Sequence, residues 1–130
     1  VGMVSEATQV VTPDATAQHL GSGSLKVYAT PAMVAFFEHT CQTMVEPLLP
    51  EGRTTVGMQV QMRHLAATPL GEVVRIRAEV VAVLGNVIDF RGQVWDRHEL
   101  VGEGEHRRVV IERDRFLKRV RSKLPQGDGG

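Results

Sequence analysis

The sequence predicts an α+β fold, one buried helix wrapped by an antiparallel β-sheet, and three observations predict it. A helical stretch opened by Thr30-Pro31 is apolar on every side from Ala32 to Phe37, the mark of a helix covered all round. Beyond Pro47, which cannot continue that helix, the apolar period changes from helical to two and stays there for four successive runs. Short turn signals, not long crossovers, separate the runs, so neighbouring strands are antiparallel.

The elements follow in order. Gln9 to Thr12 is expected to be a short strand, and Pro13 to Ser24, with Gly21 and Gly23, a loop. Thr30 has the side chain of an N-cap and Pro31 suits the first helical position, where its missing N–H costs nothing. The first long strand carries Val56, Met58, Val60, Met62, His64 and Ala66 on one face and Gly57, Gln59, Gln61 and Arg63 on the other. Pro69-Leu70-Gly71 closes it. Val74, Ile76, Ala78, Val80 and Ala82 line the next strand, Gly85-Asn86 is a two-residue hairpin signal, and Ile88, Phe90, Gly92 and Val94 line the strand after it. Leu100 to Glu112 is the last strand, and Asp114 is expected to cap a basic helix running through Arg121.

With 130 residues and 42% hydrophobic content the chain makes one domain with a core of its own, expected over residues 1–124, with Pro125 to Gly130 a disordered tail. A net charge of zero argues against a nucleic-acid or membrane-surface binder, and no apolar run approaches the roughly 18 residues that span a bilayer. The N-terminus shows no charged-then-apolar signal pattern. The single cysteine, Cys41, excludes an internal disulfide framework and fits a reducing compartment, so a cytoplasmic location is expected. No Cys or His pair has zinc-site spacing. The helix has apolar residues on more sides than one small sheet covers, which points to a dimer.

Two residues suggest chemistry. Glu38 lies in the middle of the buried helix, where a carboxylate needs a partner. His64 falls on the strand face expected to meet that helix; there it is either a hydrogen-bonded core residue or a site residue whose near-neutral pKa is used. Together they make a general-base pair plausible. Cys41 shares the Glu38 side of the helix and reads either as an inert buried thiol or as a nucleophile. His39, His98 and His106 have no partner arguing for a role, and packing is the reading for His106. Phe36, Phe37 and Met33 suggest a modest apolar pocket.

Thr30-Pro31 leading into the helix, Glu38 eight residues later, His64 in Arg-His-Leu-Ala-Ala-Thr-Pro-Leu-Gly, and the run from Gly102 to Val110 keep an order and spacing that resembles the fluoroacetyl-CoA thioesterase family of hotdog-fold proteins. The resemblance covers Val27 to Lys123. It implies a dimeric acyl-CoA thioester hydrolase with no cofactor, CoA being part of the substrate. It implies that Thr30, Glu38 and His64 are the catalytic set, that a backbone N–H on the strand of Gly57 binds the thioester oxygen, and that Arg108 lies close to the site. Phe36 is expected to line the acyl pocket. The basic run Arg113, Arg115, Lys118, Arg119, Arg121 and Lys123 is either a solvated helix face or a contact for CoA phosphates. Gly21-Ser22-Gly23-Ser24 departs from the family, being small and polar where the fluoroacetyl enzyme carries bulkier lid residues. A hotdog hydratase lacks support, because its Asp-and-His helix motif is not seen. A non-catalytic acyl-CoA-binding module and a purely structural dimerisation domain are the readings from other classes.

Overall fold

The computed structural model describes residues 1–125; of the tail expected from Pro125 to Gly130, residues 126–130 lie outside the described residues. Five strands, β1 (Val4–Val10), β2 (Arg53–His64), β3 (Val73–Leu84), β4 (Val87–Trp95) and β5 (Leu100–Glu112), form one antiparallel sheet in the order β1-β3-β4-β5-β2. The long helix α2 (Thr30–Val45) lies against it, preceded by the single turn α1 (Ala17–Leu20) and followed at the C-terminus by α3 (Arg113–Arg121). The expected α+β architecture is therefore present. The core forms between α2 and one face of the sheet, around Tyr28, Met33, Phe37, Ile76, Phe90 and Val94.

Glycine brings helix and sheet together. Phe37 sits over Gly92 and Met33 over Gly102, each so close that a Cβ on the glycine would collide with the helix side chain. The missing side chains let α2 seat deeply, and Phe37 is fully buried, worth about 1.5–3 kcal/mol of hydrophobic stabilisation. The hairpin between β3 and β4 turns at Gly85-Asn86 as the sequence indicates, with Gly85 at φ 61°, the left-handed region that such a turn needs.

Several expectations are corrected. The first strand is Val4–Val10 and pairs with β3 from Val4↔Glu79 to Val10↔Val73, while Thr12 leads into a 3₁₀ turn at Pro13–Ala15. The segment read as loop therefore holds that turn and α1, which Thr16 caps and Gly21 ends at φ 73°. Within one chain α2 is buried on one side only: Ala32, Met33, Phe37, Thr40, Cys41 and Val45 are inside, but Ala35 and His39 face solvent. The cap of α2 is the backbone of Ala29, with no side-chain bond, so Thr30 is free of the capping duty assigned to it. Asp114 likewise lies inside the first turn of α3, which starts after Glu112.

The register slips at three places, and two of these slips move side chains off the faces expected for them. In β2 the register slips between Gly57 and Gln59, so Gly57 pairs with Arg108 but Val60 pairs with His106. Thr55 and Gly57 face the helix before the bulge, and Val60, Met62 and His64 face it afterwards. Val56 pairs with Val109 on the opposite face, and Met58, expected in the core, is 57% exposed. A similar slip between Val80 and Ala82 leaves Ala82 in solvent. Alternation cannot reveal an extra residue, because a bulge exists only relative to its partner strand.

Candidate active site

The first candidate pair forms where α2 begins. Thr30 stands in the first turn of the helix, exposed, and His64 ends β2 opposite Gly102. Because the backbone of Ala29 opens the helix, the Thr30 hydroxyl is available, and its Oγ1 lies 2.8 Å from His64 Nδ1. The edge of Tyr28 faces the imidazole with ring centroids 6.3 Å apart. Burial moves the His64 pKa below its ordinary 6.5, with the backbone of Ala66 acting the other way. The ring is therefore biased towards neutral imidazole, which can receive a hydroxyl proton. Its Nε2 is buried and has no hydrogen-bond partner among the described residues.

The second centre lies further along α2. Eight residues of helix separate Thr30 from Glu38, about 12 Å at 1.5 Å per residue. No hydrogen bond joins Glu38 to Thr30 or His64 among the described residues. Instead Glu38 Oε2, His106 Cε1 and Arg108 Nη1 surround one point, the place a Cβ would occupy on Gly57, at 3.4, 3.4 and 3.6 Å. A cleft of about 300 Å³ opens here, lined by Glu38, Gly57, Met58, Gln59, Val60 and His106. Glycine at 57 keeps the space beside the carboxylate open, and the adjacent bulge frees backbone from the ladder on a strand that is already an edge.

Arg108 is buried beneath this cleft. Its Nε donates to Thr55 Oγ1 at 2.8 Å, its Nη2 to the Thr55 carbonyl at 3.0 Å, and its Nη1 meets His106 Nε2 at 3.1 Å. Burial lowers its pKa, opposed by Cys41, Glu38 and Glu46 nearby. His106 Nδ1 lies 2.8 Å from the Gln59 carbonyl, which can only accept, so Nδ1 carries the proton and Nε2 accepts from Arg108. Burial lowers the His106 pKa as well, in keeping with a neutral ring.

One chain thus brings Thr30 to His64, and Glu38 to Gly57 and Arg108, in two half-centres. Phe36 belongs to neither; it lines a separate groove with Gln9, Leu20, Pro31, Ala35 and His39. Cys41 is buried with its thiol pushed up to about 12 by burial, which makes it inert as a nucleophile. The residue that sequence reasoning passed over is His106. Its signal was there: in a strand, His106 and Arg108 must share a face, and Arg108 was already a candidate. The basic side chains of α3 are exposed, and among the described residues they make only long contacts, from Arg113 to Glu46 (4.0 Å) and from Arg115 to Glu112 (3.9 Å). Among the described residues no group of three or more His, Cys, Asp or Glu could hold a metal ion, and no helix is long and apolar enough to cross a membrane.

A long helix cradled by a five-stranded antiparallel sheet is the architecture of the hotdog class, and it holds here a hydroxyl–imidazole pair and a carboxylate beside open backbone, groups suited to thioester cleavage. A hot-dog-like protein from Thermanaerovibrio acidaminovorans superposes with a TM-score of 0.90 at 26% identity, over 96% of this chain and 93% of that one. Residues 11–114 match the family described as fluoroacetyl-CoA-specific thioesterase. The fluoroacetyl-CoA thioesterase of Streptantibioticus cattleyicolor is 35% identical over 124 residues, covering 91% of this chain and 89% of its own. A solved structure of the fluoroacetyl-CoA thioesterase FlK superposes with a TM-score of 0.89 at 33% identity, over 96% of this chain and 97% of that one. The chain belongs to the fluoroacetyl-CoA-specific thioesterase family.

Proposed function

We propose that this protein is a cytoplasmic, homodimeric acyl-CoA thioesterase that hydrolyses a short acyl-CoA to the free acid and CoA, with residues 1–124 acting as one domain and no cofactor beyond the substrate's own CoA. The observation that carries the reading is the imidazole of His64 with its Nδ1 2.8 Å from the Thr30 hydroxyl. A hydroxyl–imidazole–carboxylate set also needs a carboxylate near the imidazole. Glu38 of the same chain stands two turns away, but β2 is an edge strand. Antiparallel pairing with a second copy about a two-fold axis between Val60 and Gln61 would lay His64 of the partner subunit beside Gly57, and so beside Glu38. Such an interface is isologous, so both half-centres are completed at once.

In this arrangement Thr30 loses its proton to His64 Nδ1 as it attacks the thioester carbonyl. The Glu38 carboxylate steadies the imidazolium by its charge, and free backbone N–H groups around Gly57 receive the developing oxyanion. The imidazolium returns the proton to the departing CoA sulfur. Water, deprotonated by the same imidazole, then hydrolyses the threonyl ester. The cleft of about 300 Å³ beside Glu38 fits a short acyl group, and the lone buried thiol of Cys41 fits the cytoplasm.

The test is thiol release from a panel of short acyl-CoAs by the parent, Glu38→Gln and His64→Ala, followed by mixing the two variants. Each variant alone is expected to lose activity by orders of magnitude. Mixing restores about a quarter of it if the site is shared, because half the dimers are mixed and each then holds one intact site. No recovery on mixing, in a chain that sediments as a monomer, sinks the shared site. CoA binding without thiol release by the parent leaves a non-catalytic module.

A further inference from the structure

The mechanism above leaves one buried histidine without a task. His106 is 3% exposed, enclosed by Phe37 from α2 and Phe90 from β4 with ring centroids at 5.8 and 6.0 Å. A packing residue in that place needs no nitrogen, yet both nitrogens of His106 are engaged. One is fixed by a backbone carbonyl on β2, the other by the Arg108 guanidinium. Every polar group facing the ring is then accounted for: the Gln59 carbonyl from β2, Arg108 from its own strand, and Glu38 from α2, near enough to act on it through space. The guanidinium makes no ion pair within 4 Å among the described residues. Three of its five N–H groups go to Thr55 and His106, two have no partner among the described residues, and Nη1 borders the open space at Gly57 that Glu38 Oε2 also borders.

We propose that His106 is a positioning residue of the thioesterase site, an Nδ1–H imidazole whose Nε2 aims the Arg108 guanidinium at the cleft between Glu38 and Gly57. Its contribution passes through Arg108. The aimed cation acts on the charge of Glu38 and on the negative charge that builds on the thioester oxygen. Only the neutral ring does this, since a second proton would remove the acceptor and set two cations 3.1 Å apart. The inference rests on the thioesterase reading and adds to it a residue and a direction of action.

Two variants separate this role from packing and from anchorage of the bulged strand. In His106→Gln the amide oxygen reaches the place of Nε2 and can accept from Arg108. In His106→Asn the amide nitrogen reaches the place of Nδ1 and can donate to the Gln59 carbonyl, but nothing meets Arg108. If His106 works through Arg108, the Asn variant loses at least about tenfold in kcat with KM little changed, and the Gln variant recovers most of that loss. Combining His106→Asn with Arg108→Lys should then cost little more than Arg108→Lys alone. Equal kcat in the two variants, better turnover with Asn than with Gln, or a loss confined to KM overturns the role while leaving the thioesterase reading intact. A parent that releases no thiol overturns both. Should either variant fail to fold, ¹⁵N shifts of the imidazole in the parent decide the matter. A neutral Nδ1–H ring throughout the active pH range is expected, and a cationic ring or the other tautomer overturns the proposal.

Discussion

Replacing Thr30 with valine removes one hydroxyl and leaves the shape of the side chain. Among the described residues that hydroxyl makes one bond, 2.8 Å to His64 Nδ1, and no capping bond, since the helix opens on Ala29. As a mere tether for the ring it would be worth about 0.5–1.5 kcal/mol, which limits the kinetic cost to roughly tenfold at 1.4 kcal/mol per factor of ten. As the nucleophile, its removal abolishes the covalent route, and the cost rises to about a thousandfold or more in kcat. The stability cost is about 1 kcal/mol in both cases, a few degrees in Tm, so the variant stays folded at assay temperature. The assay is single-turnover thiol release with an excess of enzyme, on Thr30→Val and on Thr30→Ser, which keeps the hydroxyl. We expect a drop of about a thousandfold for valine and less than about tenfold for serine. A valine variant within tenfold of the parent would refute the nucleophile assignment and leave His64 activating water.

Two further outcomes follow from the same geometry. Burial lowers the folded-state pKa of both His64 and His106 below the ordinary 6.5, so the unfolded chain binds more protons between the lowered values and about 6.5. Stability should therefore be complete above pH 6.5 and fall as pH drops through that window, with kcat/KM falling on the same side; urea midpoints that rise on acidification from pH 7.5 to 5.5 would contradict this. Gly104 pairs with Met62, and a Cβ placed on it would run into the Gln61 backbone, which cannot turn aside as a side chain can. Gly104→Ala should cost about 3 kcal/mol or more by forcing β2 off β5, and a urea midpoint near the parent's would show that the strands give way more easily than their packing implies.

Much of the fold was legible because its signals are local. Thr30-Pro31 opens the helix, Pro47 follows its end, Gly85-Asn86 makes the hairpin, and β5 keeps the bounds its alternation indicates. His64 was found through strand period alone and does lie on the helix side, although for only part of the reason given. The phase assumed from Val56 onward breaks at the bulge, and Val56 and Met58 sit elsewhere. The site was less legible. Thr30 had a sufficient local explanation as a cap, and His106 had a sufficient one as packing. The first fails because Ala29 opens the helix and the hydroxyl meets His64; the second holds, since His106 packs against Phe37 and Phe90, but it leaves out the bonds of its two nitrogens to Gln59 and Arg108.

The sequence by itself determined the elements, the apolar faces and the set of residue types able to cleave a thioester, since helix, strand and turn propensities act over a few neighbouring residues. Only the tertiary structure decided which of those residues meet. The slip between Gly57 and Gln59 exists only against β5, and it points Gly57 and Val60, three residues apart, to the same face. The depth at which α2 lies depends on side chains absent at Gly92 and Gly102, across the sheet from it. Those two features place the Thr30–His64 pair at one end of the helix face and Glu38, with Arg108 and His106, about 12 Å along it. A separation of that kind is a property of packing between distant segments, where no local propensity acts.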